Sequence, residues 1–179
     1  MSRALDPARS LLLVVDVQTR LHPAIHDGAA ALARAARLVA IARLLSIPAW
    51  GTEHCPDALG PLHPALRDDL DRVFAKTRFD ACGAPGLIEA LPPDGPEVIL
   101  CGYEAHVCVL QTALGLIGRG HRVLLARDAA GSRDPADRDA GFARLAAAGV
   151  EFITTEMAAF EWLGDATHPR FREVLRLIK

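Results

Sequence analysis

Apolar residues fall into six short runs separated by polar or alanine-rich stretches. The runs are LLLVVDV (11–17), PAWGTE (48–53), RVFAKT (72–77), EVILCGY (97–103), RVLLARDA (122–129) and EFITT (151–155). Consecutive rather than alternate apolar positions suit strands buried on both faces of a parallel sheet. Between the runs the spacing changes to a helical period. Residues 28–46 set Leu32, Ala36, Val39 and Arg43 at helical intervals, 85–91 predict a short helix, and 106–118 predict a more apolar one. Residues 134–148 open on Asp134-Pro135, a cap followed by proline at the first helical position, and stop before Gly149. The last segment, 168–179, is amphipathic, with Phe171, Val174, Leu175 and Ile178 on one face. Strand and helix alternate throughout. This predicts an α/β fold of three layers, a mostly parallel sheet joined by right-handed crossovers and covered on both sides by helices. No Pro/Ser-rich linker interrupts the chain, so 1–179 reads as a single domain. The stretch 54–70 is the one long connection, a candidate lid or interface.

Composition narrows the function more than the fold. Net charge is −2, from 20 basic against 22 acidic side chains, and aromatics make up 5%. Neither nucleic-acid binding by a basic face nor base stacking is expected. The apolar runs are shorter than a membrane span, and Met1 to Ser10 does not follow the pattern of a secretory leader. Cys55, Cys82, Cys101 and Cys108 form no C-x-x-C pair. In a chain able to bury a large core they read as reduced thiols, and the expectation is a cytoplasmic protein.

Ligands of open parallel sheets bind beyond the carboxyl ends of the strands. Asp16, Glu53, Lys76, the pair Tyr103–Glu104 and Asp128 close the first five predicted strands, and Cys108 follows at the start of a helix. An acid, an amine and a thiol can thus meet at one edge. A helix N-terminus and a nearby lysine favour thiolate, and a carboxylate in reach can take the thiol proton. Taken alone, Cys108 reads first as a small core residue and Lys76 as a solvated loop residue, whereas a charge interrupting an apolar strand makes a purely structural carboxylate the lesser reading of Asp16. His54 and His63 share the long loop with Glu53, but their spacing matches no standard zinc pattern. His106 stands two residues before Cys108, a separation at which helical side chains do not face each other, so it is a poor base for the thiol. Phosphate-binding glycine motifs and the G-x-S-x-G elbow do not occur, so neither a nucleotide cofactor nor a serine nucleophile is expected.

Three separated segments match one family. LLLVVDVQ, FAKTRFDA and VILCGYEAHVCVLQTAL resemble the D-x-Q, lysine and nucleophile segments of the isochorismatase-like cysteine hydrolases, in the same order and over essentially the whole chain. DVQTRLHPAI, GTEHCPDALG, KTRFDACG and the tail GDATHPRFREVLRLIK bring the chain nearer the branch called isochorismatase domain-containing proteins. The resemblance implies a six-stranded Rossmann-like sheet and a triad of Asp16, Lys76 and Cys108. In such a site the thiolate attacks an amide-type carbonyl, an amine leaves, and water hydrolyses the thioester. It further implies a cis peptide at Tyr103–Glu104, an oxyanion hole from the backbone N–H groups of Glu104 and Cys108, and a substrate pocket containing Gln18, Leu21, Glu53 and Tyr103.

Two departures refine the expectation. Nicotinamidases of the superfamily hold a metal through Asp-x-His, where this chain has Glu53-His54, so no metal and no cofactor are expected. True isochorismatases lack the cysteine, so Cys108 favours a thioester route over vinyl-ether hydrolysis with Asp16 as the acid. A binding or scaffold protein on the same fold is the alternative from another class. The expected partners are a small-molecule substrate and further copies of the chain, with no nucleic acid and no membrane.

Overall fold

The structure, a computed structural model, describes residues 4–93 and 95–179. Six strands form one sheet: β1 (Ser10–Val15), β2 (Ala49–His54), β3 (Arg72–Lys76), β4 (Glu97–Tyr103), β5 (Val123–Gly131) and β6 (Glu151–Ile153). Every pairing is parallel, and the order across the sheet is β3-β2-β1-β4-β5-β6. The sheet is therefore wholly parallel and six-stranded, as the apolar runs and the resemblance together led one to expect.

Alternation along β1 explains why its apolar run is continuous. Leu12 and Val14 enter one core; Leu11, Leu13 and Val15 enter the other. The first core is roofed by α1 (Gly28–Leu44), α7 (Thr155–Leu163) and α8 (Phe171–Ile178). The second is roofed by α4 (Leu87–Ala90), α5 (Leu110–Ile117) and α6 (Pro135–Ala147). Helix α6 starts as read from the sequence, with the Asp134 carboxylate accepting from the Ala136 N–H at 2.8 Å.

Three boundaries differ from the sequence reading. The long connection contains two one-turn helices, α2 (Pro56–Leu59) and α3 (Pro64–Arg67), each opened by a proline at its first position. The sixth strand ends at Ile153, because the Thr154 hydroxyl accepts from the Met157 N–H and starts α7 there. The fifth strand continues past Asp128 to Gly131, with a register shift against β4. Asp128 consequently does not close its strand. Its carboxylate accepts from the N–H and hydroxyl of Thr155 and faces Arg34 of α1.

Chain order runs outward from β1 through β2 to β3 on one side, and from β4 through β5 to β6 on the other. The order reverses between β1 and β4, the place where open parallel sheets bind ligands beyond their carboxyl ends. The close approach of β1 and β4 depends on Gly102, with φ of 122°. A Cβ on it would lie 2.1 Å from the Val15 carbonyl oxygen. Among the described residues all four cysteines are free, and no helix is long and apolar enough to cross a membrane.

Candidate active site

Side chains from the ends of β1, β2 and β3 and from the turn after β4 meet at this reversal. Asp16, the residue after β1, takes a left-handed conformation with φ of 52° and is fully buried. Its Oδ1 accepts from the Thr52 hydroxyl at 2.7 Å, and its Oδ2 accepts from Lys76 Nζ at 2.6 Å. Lys76 ends β3 two strands away, and its ammonium also donates to the Arg78 carbonyl oxygen at 3.2 Å. Neither side chain of this ion pair is exposed. A pair so placed holds its charges only because each has a counter-charge and a further hydrogen bond.

Cys108 lies in a π-helical turn, Ala105–Val109, that leads into α5. Such turns recur at functional sites because they re-aim one side chain. The Ala105 N–H donates to the Ser132 hydroxyl at 3.1 Å, which ties the turn to the end of β5. Burial and the neighbouring Asp16 push the Cys108 thiol up to about 12, while Lys76 pulls it down. The lowering expected from a helix end is thus outweighed, and the resting sulfur is a thiol that shares its surroundings with a carboxylate and an ammonium.

His54 completes the cluster. Its register partner on β3 is Lys76, so the two side chains share a face, and alternation adds Thr52 and Trp50 to that face. A ring nitrogen of His54, a carboxylate oxygen of Asp16 and the Cys108 sulfur all lie within 4.8 Å of one another. The imidazole Nδ1 is buried without a hydrogen-bond partner, its Nε2 is 3.7 Å from Cys55 Sγ, and its ring packs on exposed Phe79.

The Isochorismatase domain model matches residues 10–157, which includes every group named above. The chain belongs to the isochorismatase family. It is 38% identical over 175 residues to human isochorismatase domain-containing protein 2, covering 97% of this chain and 84% of that one. Among solved structures, the MAR1 ribonuclease of Caenorhabditis elegans superposes with a TM-score of 0.91 at 36% identity, over 98% of this chain and 92% of the other. YcaC from Pseudomonas aeruginosa, with hexane-2,5-diol and covalent acrylamide, gives a TM-score of 0.91 at 25% identity, over 99% and 92%. These likenesses place the chain in the isochorismatase-like hydrolase superfamily, with its α/β fold.

One expected feature differs here. The Tyr103–Glu104 peptide is trans, since none of the described bonds is cis. The chain passes from β4 through Glu104 directly into the π-helical turn. The four expected pocket residues make the following contacts within the fold. The Gln18 amide donates to the carbonyl oxygens of His54 and Gly60 and accepts from the His54 N–H at 2.8 Å, so it latches the exit of β2 to that of β1. Glu53 points to the opposite face from His54, where it accepts from the Leu62 N–H at 2.8 Å near Arg67. The Tyr103 hydroxyl donates to the Gly28 carbonyl oxygen and meets His22 Nδ1, both at 3.0 Å. Leu21 packs against the core under α1.

Glu104 stays beside the turn that carries Cys108. Its Oε1 accepts from Arg133 Nε at 2.6 Å, and its backbone carbonyl accepts from the N–H groups of Val107 and Val109. The neighbours missed in the sequence are His54, beside the thiol, and Thr52 and Ser132, which hold Asp16 and the turn that carries Cys108. For His54 the signal was present: it ends a strand on the face shared with Thr52.

Proposed function

We propose that the chain is a cysteine hydrolase acting on a small amide-type or related carbonyl substrate, with Cys108 as nucleophile, Asp16 as base and Lys76 as electrostatic partner. The observation that carries this reading is the buried Asp16–Lys76 pair set against the Cys108 thiol. A thiol pushed up to about 12 attacks only as it loses its proton, and Asp16 is placed to receive it. The sulfur bonds to the carbonyl carbon, the carbonyl π electrons move to oxygen, and the thiol proton goes to Asp16. Collapse breaks the carbon–nitrogen bond, and Asp16 returns the proton to the departing amine. Water, deprotonated by the same carboxylate, then cleaves the thioester to acid and thiol. Lys76 holds the Asp16 carboxylate in place by their hydrogen bond and favours the thiolate form of the sulfur. The backbone N–H groups of Glu104 and Cys108 are the proposed oxyanion donors, each typically worth about 3 kcal/mol in the transition state.

The covalent acrylamide of the Pseudomonas YcaC structure supplies a probe. Acrylamide is expected to label Cys108 in the native chain, faster than Cys55 or Cys82, and Asp16→Asn is expected to slow that labelling. A panel of small amides is expected to show turnover that Cys108→Ala abolishes. Turnover retained in Cys108→Ala but lost in Asp16→Asn would identify vinyl-ether-type chemistry with Asp16 as acid. A folded native chain that neither labels at Cys108 nor turns over any amide would leave the scaffold reading. The nematode neighbour's ribonuclease name is not carried over, because a chain of net charge −2 lacks the excess positive charge on which RNA affinity rests.

Homo-oligomerisation is proposed from the exposed apolar side chains Phe79, Met157 and Phe160. Sedimentation velocity returning only the 19.2 kDa monomer would overturn it.

A further inference from the structure

The Cys108 sulfur, a ring nitrogen of His54 and a carboxylate oxygen of Asp16 come from three separate segments and lie within 4.8 Å of one another. Thiolate, imidazole and carboxylate are the donor types that zinc selects, and three protein ligands leave a fourth position for water. Tetrahedral zinc, with bonds of about 2.0 to 2.3 Å, needs its ligand atoms about 3.3 to 3.7 Å apart. A closure of about 1 Å by mobile χ angles therefore meets the requirement. The imidazole Nδ1 is buried without a hydrogen-bond partner, a state that normally costs free energy and that a bound ion or a ring flip around one relieves.

We propose that Asp16, His54 and Cys108 form a binding site for a thiophilic divalent cation, zinc foremost, that caps the nucleophile and blocks the hydrolase reversibly. The inference rests on the same cluster as the hydrolase reading but not on turnover. On binding, the Cys108 sulfur gives its proton to solvent and donates a lone pair to the metal, so it can no longer attack a carbonyl. Asp16 offers one further lone pair while keeping the bonds from Thr52 and Lys76. The Lys76 ammonium opposes the incoming cation, which makes this site weaker than a structural zinc site and suits it to reversible occupancy. Magnesium and calcium, which prefer all-oxygen shells, are excluded by the sulfur and nitrogen donors.

The test is a titration of the metal-stripped full chain with cobalt(II), followed by absorption, then displacement by zinc. One equivalent is expected to give a thiolate-to-cobalt charge-transfer band with tetrahedral d–d bands. Cys108→Ser removes the charge-transfer band, and His54→Gln weakens binding by more than about tenfold. Cys82→Ser changes nothing. A band that persists in Cys108→Ser, or that disappears in Cys55→Ser, overturns the assignment in favour of a Cys55–His54 site. Acrylamide labelling of the unaltered chain gives an answer that needs no variant. Zinc is expected to slow labelling of Cys108 while magnesium does not, and equal labelling with and without zinc overturns the proposal. A chain that forms the cobalt–thiolate band yet hydrolyses no amide refutes the hydrolase reading alone. One that turns over amides without forming the band refutes the metal site alone.

Discussion

Replacing Lys76 with methionine removes a charge from a place where its partner cannot reach water. The ammonium lies 2.6 Å from Asp16 Oδ2, and both side chains are fully enclosed. At an effective dielectric constant of about 20, opposite charges at that distance attract by about 6 kcal/mol. Part of that attraction offsets the desolvation of the two ions, so deleting the whole pair costs much less than deleting one member. Lys76→Met is therefore expected to destabilise the fold by about 3 to 5 kcal/mol. The double variant Asp16→Asn/Lys76→Met is expected to be more stable than Lys76→Met, despite carrying one change more. Urea unfolding followed by the fluorescence of Trp50 and Trp162, at one protein concentration, measures each value, and the denaturant slopes must agree among variants for the comparison to hold. Trp162 reports the first core directly, since its indole N–H donates to the Ser10 hydroxyl at the start of β1. A loss below about 1 kcal/mol for Lys76→Met, or simple additivity in the double variant, would show that the pair behaves like a screened surface bridge. The electrostatic basis assigned to the site would then fail.

Other changes probe different parts of the molecule. Gly102→Ala places a methyl 2.1 Å from the Val15 carbonyl oxygen at a φ of 122°, and is expected to lower the urea midpoint more than alanine at any exposed site. Gln18→Leu leaves the His54 N–H and two carbonyl groups without partners, a loss of about 2 to 4 kcal/mol, and hydrogen exchange is expected to show the His54 amide losing protection first. Burial is the leading cause that raises Cys82, Cys101 and Cys108 from 9.0 to about 12. Folded thiols thus keep protons that the unfolded chain has lost, so stability is full below pH 9 and falls between pH 9 and 12. Each thiol contributes a slope of about 1.4 kcal/mol per pH unit, and Cys101→Ala is expected to flatten the curve by one such share. An unfolding free energy that stays level from pH 8.5 to 10.5 would contradict the burial of these groups.

How much of this was legible depended on whether the cause was local. The six strands could be read because both faces of the sheet are covered, which makes their sequences continuously apolar and unlike the intervening helices. Asp16, Lys76 and Cys108 stood out because each brings a reactive group to a strand end or the turn after one, and the structure brings them together at the reversal of strand order. Helix α7 was hidden because Thr154 and Thr155 look like strand residues until one sees that the Thr154 hydroxyl caps the Met157 N–H. The hydrogen-bond partners of Gln18, Glu53 and Tyr103 could not be read, since the His54, Leu62 and Gly28 groups they meet are distant in sequence and are backbone groups that carry no residue-specific signal. His54 needed the register of β2 against β3, which follows from tertiary packing and not from the spacing of its neighbours.

The edge position of β3 has a bearing on how the site can be disturbed. Asp16 and the turn carrying Cys108 hang from the two central strands, whereas the lysine hangs from a strand paired on one side only. Margins of a sheet open more readily than its middle. A fluctuation that peels β3 withdraws the positive charge and leaves the acid and the thiol without it, and no global unfolding is needed. Conversely, whatever lies along that margin holds the lysine in place. The outer rim of this sheet is thus a remote handle on a buried charge cluster two strands inside it.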